Sequence, residues 1–207
     1  MPRSLRRLFP AAEAALYAAF IALDLTGRTA ASVPVKYAAL LLCLLYALPA
    51  ARTRDGRLAA AALALTAAAD WFLLVRDAHY GAGVLLFCVV QTLYAVRLIR
   101  WRGRICRALA AVRLAPLALF ALPPPRLDAL ALVYFTSLVC NAAAAARLAG
   151  ADCQRRRFAA GLGLFVCCDL CVGAFNLGLL TGFTRYGMWL FYLPSQVLLA
   201  LAAYPDE

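Results

Sequence analysis

The chain reads as an all-α, polytopic membrane helix bundle with eight transmembrane helices and both termini cytoplasmic. Composition is the first reason. Of 207 residues, 66% are hydrophobic and only 15% charged, against about 45–50% and about 25% in soluble domains. One soluble core cannot hide that much apolar surface, which excludes both an ordinary soluble enzyme and a disordered chain. The second reason is that apolar runs of bilayer-crossing length, roughly 17–25 residues, recur along the whole chain. The third is the way the basic residues alternate between the breaks in those runs.

The eight runs occupy 8–25, 33–50, 57–75, 79–99, 105–122, 127–149, 158–180 and 187–203. Gly27-Arg28 ends the first, and Arg52 through Gly56 separates the second from the third. Arg76-Asp77 closes the third, and Trp101-Arg102-Gly103-Arg104 follows the fourth. Pro123-Pro124-Pro125 stops the fifth, because proline lacks a helix donor and clashes with the preceding turn. Asp152 through Arg157 divides the sixth from the seventh, and Thr181 through Gly187 the seventh from the eighth. Linkers this short make 1–207 a single integral membrane domain. Arg3, Arg6 and Arg7 before an apolar run resemble a signal peptide, but Glu13 interrupts the run and no small-residue cleavage site follows. The first helix is therefore expected to be retained.

Lys and Arg total 21 against 10 Asp and Glu, a net charge of +11. In a soluble protein that excess would suggest nucleic acid. Here 15 of the 21 fall at the N-terminus and the second, fourth and sixth breaks, the fourth including Arg97, while Arg28, Arg76, Arg126 and Arg185 are the 4 on the opposite side. That bias is the positive-inside pattern, and it leaves contacts with anionic headgroups open but no nucleic-acid partner. The setting expected is a bacterial plasma membrane. The eight cysteines lie in spans or, for Cys153, in a cytoplasmic break, so neither a disulfide framework nor a metal site is expected. Cys167-Cys168-x-x-Cys171 reads as soft packing residues, and the one histidine, His79, is placed at the far end of the membrane thickness.

Ionisable groups at bilayer depth are costly, and each is a functional candidate. Asp70 lies in the third span and Asp169 in the seventh, both running outward from the cytoplasm, so their carboxyls reach similar depths. Lys36 enters from the outer end of the second span. Glu13 reads equally as an interfacial acid or a functional one. Thr66 precedes Asp70 by four residues and shares its face. Asn176 follows Asp169 by seven and is placed on the same face. Gln91 and Tyr94, Tyr192 and Gln196, and Asn141 extend the set into the fourth, eighth and sixth spans. Leu63 through Asp70 faintly resembles Leu162 through Asp169, as two four-helix halves would.

These residues resemble the YhhN-like family, the membrane lysoplasmalogenases, over about residues 30 to 203. Three stretches carry the likeness. Ala69-Asp70 followed by Gly83-x-x-x-Phe87-x-x-x-Gln91-x-x-Tyr94 stands against the family's Gly-Asp and Gly-x-x-x-Phe-x-x-x-His-x-x-Tyr. Gly161 through Phe165 with Cys168-Asp169 stands against Gly-x-x-x-Phe-x-x-Ser-Asp. Tyr192-x-x-x-Gln196 keeps the family's Tyr-x-x-x-Gln spacing, and Lys36 matches a family lysine that usually precedes proline, here Tyr37. Gln91 can hydrogen-bond but cannot shuttle a proton as the family's histidine can.

The resemblance implies hydrolysis of the vinyl-ether bond of lysoplasmalogen to a fatty aldehyde and glycerophosphoethanolamine or glycerophosphocholine. It marks Asp70 and Asp169 as the catalytic pair, and two carboxyls suit the chemistry, one giving a proton to carbon and the other activating water. Which is acid and which base stays open. The expected substrate-binding residues are Lys36, Gln91, Tyr94, Asn176, Tyr192 and Gln196, with a lysophospholipid substrate, surrounding membrane lipids as partners, and no metal or other cofactor. The same carboxylates would also serve a membrane transporter or a lipid-binding protein without catalysis.

Overall fold

The computed structural model describes residues 3–104, 106–121 and 126–205, and among them every regular element is helical. The elements are α1 (Arg3–Leu25), α2 (Thr29–Ala47) with a 3-10 turn (Leu48–Arg52), α3 (Arg54–Asp70) with a π turn (Trp71–Val75), and α4 (Tyr80–Arg102). After them come α5 (Arg107–Leu114) with a 3-10 stretch (Ala115–Ala121), α6 (Arg126–Ala146), α7 (Cys153–Asn176) and α8 (Thr181–Leu201). Among the described residues, six stretches are long and apolar enough to cross a membrane: Leu8–Leu25, Thr29–Arg52, Arg54–Val75, Tyr80–Arg102, Ala129–Ala146 and Cys153–Asn176.

Two of the expected spans differ. The fifth, 105–122, is not one helix. α5 stops after 8 residues and the chain tightens into 3-10 geometry from Ala115. The eighth has the length, 21 residues, but Arg185, Pro194, Ser195 and Gln196 make it less apolar than the six. Its first turns are also the stretch from Thr181 to Gly187 that reads as a linker in the sequence, so Arg185 belongs to a helix.

Local chemistry sets the helix ends. Thr53 caps α3 by accepting from the Gly56 N–H at 2.9 Å, and Asp152 caps α7 by accepting from the Arg155 N–H at 2.6 Å. Gly56 is required there, because a Cβ would sit 1.8 Å from the Ala50 carbonyl oxygen. Gly103 ends α4 with φ +72, the left-handed geometry a glycine adopts without strain.

Six helices close into a ring, each packed on the next in the order α2, α3, α4, α6, α7, α8 and back to α2. α1 lies outside against α2, with an edge on α8 where the Tyr17 hydroxyl donates to the Leu190 carbonyl at 3.1 Å. α5 lies outside against α6. Small residues let α7 and α8 approach closely: a Cβ at Gly161 would meet Leu199 at 3.0 Å, and one at Gly187 would meet the Cys171 sulfur at 3.0 Å. Leucines such as Leu45, Leu85 and Leu170 face outward while Thr66, Asp70, Gln91 and Gln196 are buried. This inside-out arrangement suits a lipid surround.

One end of the ring is locked by a charge. Arg97, placed in a basic break by the sequence, is fully buried within α4. Its Nε and Nη2 donate to the two Asp55 oxygens at 2.9 and 2.7 Å, and Nη2 also donates to the Ala202 carbonyl. Gln154 donates to Asp55 at 3.2 Å and to the Ala202 carbonyl at 3.0 Å. The guanidinium lies 4.5 Å from the Trp101 ring centre and 4.8 Å from that of Phe158. α4 continues to Arg102 because this pairing satisfies the charge inside the helix. Arg97→Met alone should destabilise the protein by about 1–3 kcal/mol, because it takes the main partner from Asp55, which is 27% exposed. Adding Asp55→Leu should recover much of that loss, as read by thermal unfolding in detergent.

Candidate functional site

Asp70 is the last residue of α3, immediately before the π turn. Its carboxyl is buried and accepts from the Tyr192 hydroxyl of α8. Asp169, in the second half of α7, is half-buried and accepts from the Tyr134 hydroxyl of α6. The two carboxyls lie within electrostatic reach of each other. The sequence placed them at similar depth, and the structure brings them to one site with a tyrosine hydroxyl on each.

Aromatic rings connect the two tyrosines. Tyr134 packs on Phe87 with ring centres 5.4 Å apart, Phe87 on Phe165 at 5.7 Å and Phe165 on Tyr192 at 5.6 Å. Edge-to-face and tilted pairs of this kind hold rings in fixed orientations. The arc therefore sets where both hydroxyls point. Tyr134 escaped the sequence reading, although a tyrosine inside an otherwise apolar run was the available signal.

Helix register places the other polar residues by level. Asp70 meets Tyr192 across α3 and α8, so Thr66 on α3 and Gln196 on α8 stand together one turn away. Gly83 meets Leu73 across α3 and α4, which brings Gln91 to the level of Thr66. All three are buried. Gln91 is tied to α6, where its side-chain oxygen accepts from Asn141 at 2.9 Å. Asn141 also donates to the Gln91 carbonyl at 2.8 Å and accepts from Arg113 at 2.6 Å. Tyr94 lies three residues further along α4, buried, near Arg97 and Cys43. Thus Gln91, Tyr94 and Gln196 belong to the layers beneath the carboxyl pair, and Tyr192 touches it.

One expectation needs correction. Asn176 does not join the site. Seven residues beyond Asp169 is about 10.5 Å of rise, and that puts it exposed at the end of α7. Glu13, which reads equally as an interfacial or a functional acid, is buried and accepts from the Cys43 thiol at 3.3 Å.

Lys36 is buried, and its partner is neither carboxyl of the pair. Its Nζ donates to Asp24 of α1 at 2.6 Å and lies 4.4 Å from the Trp189 ring centre and 5.3 Å from that of Phe20. Trp189 in turn packs edge-on against Tyr192 at 5.8 Å. The sequence does not single out Asp24, and only the fold reveals it as the partner. An open groove of about 430 Å³ runs between α1 and α8 at this point, lined by Phe20, Ile21, Asp24, Tyr186, Trp189 and Leu190 among others. Among the described residues, no three His, Cys, Asp or Glu side chains gather as metal ligands would.

The family model for the YhhN family matches residues 31–203. The chain belongs to the YhhN family. It matches no curated protein and no solved structure. The match begins just after α2 starts and takes in both carboxyls, both tyrosines and Lys36, while α1 with Asp24 lies outside it. In this YhhN-family chain the lysine therefore depends on a helix beyond the matched region. Reversing either charge alone, Lys36→Asp or Asp24→Lys, should place like charges together and lower the yield of folded monomer in detergent by size-exclusion chromatography. The double reversal should restore it; if the single reversals fold normally, the pair does not hold α1.

Proposed function

We propose that the protein is a membrane hydrolase that cleaves the vinyl-ether bond of lysoplasmalogen, with Asp70 and Asp169 as its catalytic pair. The observation that carries this reading is the pair itself. Two carboxyls lie inside a helical bundle of the YhhN family, each on a tyrosine hydroxyl and within electrostatic reach of each other. Two buried carboxyls that feel each other's charge favour a state with one protonated and one ionised. A vinyl ether needs both forms. The protonated carboxyl gives its proton to the double-bond carbon that does not carry the oxygen, and the oxygen-bearing carbon becomes an oxocarbenium ion. The ionised carboxyl steadies that cation and takes a proton from water as its oxygen bonds to the cationic carbon. The resulting hemiacetal breaks its C–O bond to the glycerol, the glycerol oxygen takes up a proton, and the products are a fatty aldehyde and the glycerophospho-alcohol. One water is consumed and no proton is gained or lost.

The remaining groups fit around that chemistry. Tyr134 and Tyr192 orient the carboxyls. Tyr94, Gln91 and Gln196 take up water or glycerol oxygens. Lys36, steadied by Asp24, faces the headgroup phosphate, and the groove between α1 and α8 admits the alkenyl chain from the lipid. In this reading all eight helices cross the bilayer. α5 with its 3-10 stretch is about 26 Å long, near the hydrocarbon thickness. Both termini then lie in the cytoplasm, on the side of the Arg97–Asp55 pair.

Purified protein should release aldehyde from lysoplasmalogen. Asp70→Asn and Asp169→Asn should each lower the rate by about 10²–10⁴-fold, the usual worth of a positioned acid or base. Near-normal turnover in both variants would reject the mechanism, and solute flux into proteoliposomes without aldehyde would point to transport instead.

A further inference from the structure

The described residues contain seven buried side-chain atoms with no hydrogen-bond partner among them, and five of these belong to α3, α4 and α8. They are Thr66 Oγ1, Gln196 Oε1, Gln91 Nε2, the Tyr94 hydroxyl and Arg97 Nη1. Each of these residues is 0–1% exposed. Gln91, Tyr94 and Arg97 follow one another at intervals of three along α4, so each neighbours the next while the line winds about 120° round the helix from first to last. They cover about 9 Å of that helix. Thr66 and Gln196 flank the top of that line at the level of Gln91, one turn below the Asp70–Tyr192 bond. Arg97 is its foot, at the ion pair that closes the end of the ring.

Five lone polar atoms on three helices are too many for a dry core. Buried polar groups in native proteins find protein partners or water, and a buried water needs two to four such partners. At the level of the carboxyls the wall is different. The arc Tyr134–Phe87–Phe165–Tyr192 presents ring faces and edges, and both hydroxyls are spent on the aspartates.

We propose that Thr66, Gln91, Tyr94, Gln196 and Arg97 line a hydrated column that carries water from the Arg97 end of the bundle to the Asp70–Asp169 pair. The column's existence follows from the lone polar atoms. Its role as water supply rests on the hydrolytic reading, since each turnover consumes one water in a site walled by apolar side chains. Glu13 and Cys43 give the column a side branch. Cys43 lies near Tyr94 and donates to the buried Glu13 at 3.3 Å.

The test combines hydroxyl-radical footprinting, which labels side chains next to bound water, with unfolding and aldehyde release, all on the full chain in detergent. Tyr94 should label at a rate close to that of exposed tyrosines, whereas Leu138, equally buried on α6, should stay unlabelled. The near-isosteric double variant Thr66→Val with Gln196→Met should cut Tyr94 labelling about fivefold or more. It should also lower kcat about tenfold with little change in KM, because delivery of water and not substrate binding is impaired. Tyr94 as inert as Leu138, together with a raised unfolding temperature in the double variant, would show the layer to be dry and overturn the proposal. Loss of labelling with unchanged kcat would overturn the supply role. Labelling of Tyr94 in a protein that releases no aldehyde would keep the column and reject the hydrolase reading alone.

Discussion

The Arg97–Asp55 ion pair is the point on which the bundle closes. It joins the start of α3 to α4, and through Gln154 and the Ala202 carbonyl it holds the start of α7 and the end of α8. A fully buried guanidinium is tolerable only when nearly every donor finds an acceptor. Those acceptors come from segments far apart in the chain, so satisfying one charge fixes four helix ends. The register along the helices depends on that fixed end. α3 runs up from Asp55 to Asp70 and α8 runs down from Tyr192 to Ala202, and the Asp70–Tyr192 bond is set where they meet. The carboxyl pair is thus positioned from a distance by an interaction at the opposite end of the same helices.

Much of this was legible in the sequence, for a plain physical reason. Lipid forces backbone polar groups to be satisfied within helices, so apolar run length locates spans without knowledge of their packing. The same rule makes each in-span carboxyl conspicuous, which is why Asp70 and Asp169 stood out. What could not be read was pairing. Asp24, Asp55 and Gln154 look like ordinary helix-end residues until the fold brings them to Lys36 and Arg97. Arg97 was misplaced because a basic residue near a helix end is normally a loop or interface residue, and only a partner from α3 makes its burial possible. The break in α5 was missed because composition does not distinguish a straight span from one that tightens into 3-10 geometry.

The faint repeat takes on a physical meaning once the partners are known. Each aspartate helix is followed by one with an aromatic residue four before a glutamine, Phe87 to Gln91 and Tyr192 to Gln196. Tyr192 gives its hydroxyl to Asp70, the aspartate of the other half. Its counterpart Phe87 has no hydroxyl to give. Asp169 instead takes that of Tyr134, against whose ring Phe87 packs. The two halves therefore reach the same arrangement, a carboxyl on a tyrosine, by different routes. They also differ in backbone, since a π turn comes directly after Asp70 while α7 runs unbroken past Asp169 to Asn176. A π turn adds a residue to the helical repeat and re-aims the side chains beyond it. The two carboxyls differ in surroundings as well, one buried and one half-buried. Unequal environments are what separate the roles of two otherwise identical acids.

The positions where this chain departs from the family's pattern sort by what they touch. Cys168, where the family has serine, is buried next to Asp169 in the chain. Ala69, where the family has glycine, is fully buried, so the extra methyl has been accommodated beside Asp70. Gln91, where the family has histidine, lies a turn from Asp70 and is held through Asn141 to Arg113. No departure removes a carboxyl or the tyrosine that orients it. Replacing histidine by glutamine changes the layer beneath the pair, exchanging a group that could carry a proton for one that can only order hydrogen bonds. Under the hydrolysis proposed above, which takes up no net proton, that layer would have to supply water and not protons. A glutamine whose oxygen is fixed by Asn141 and whose amide nitrogen has no partner among the described residues would suit that task.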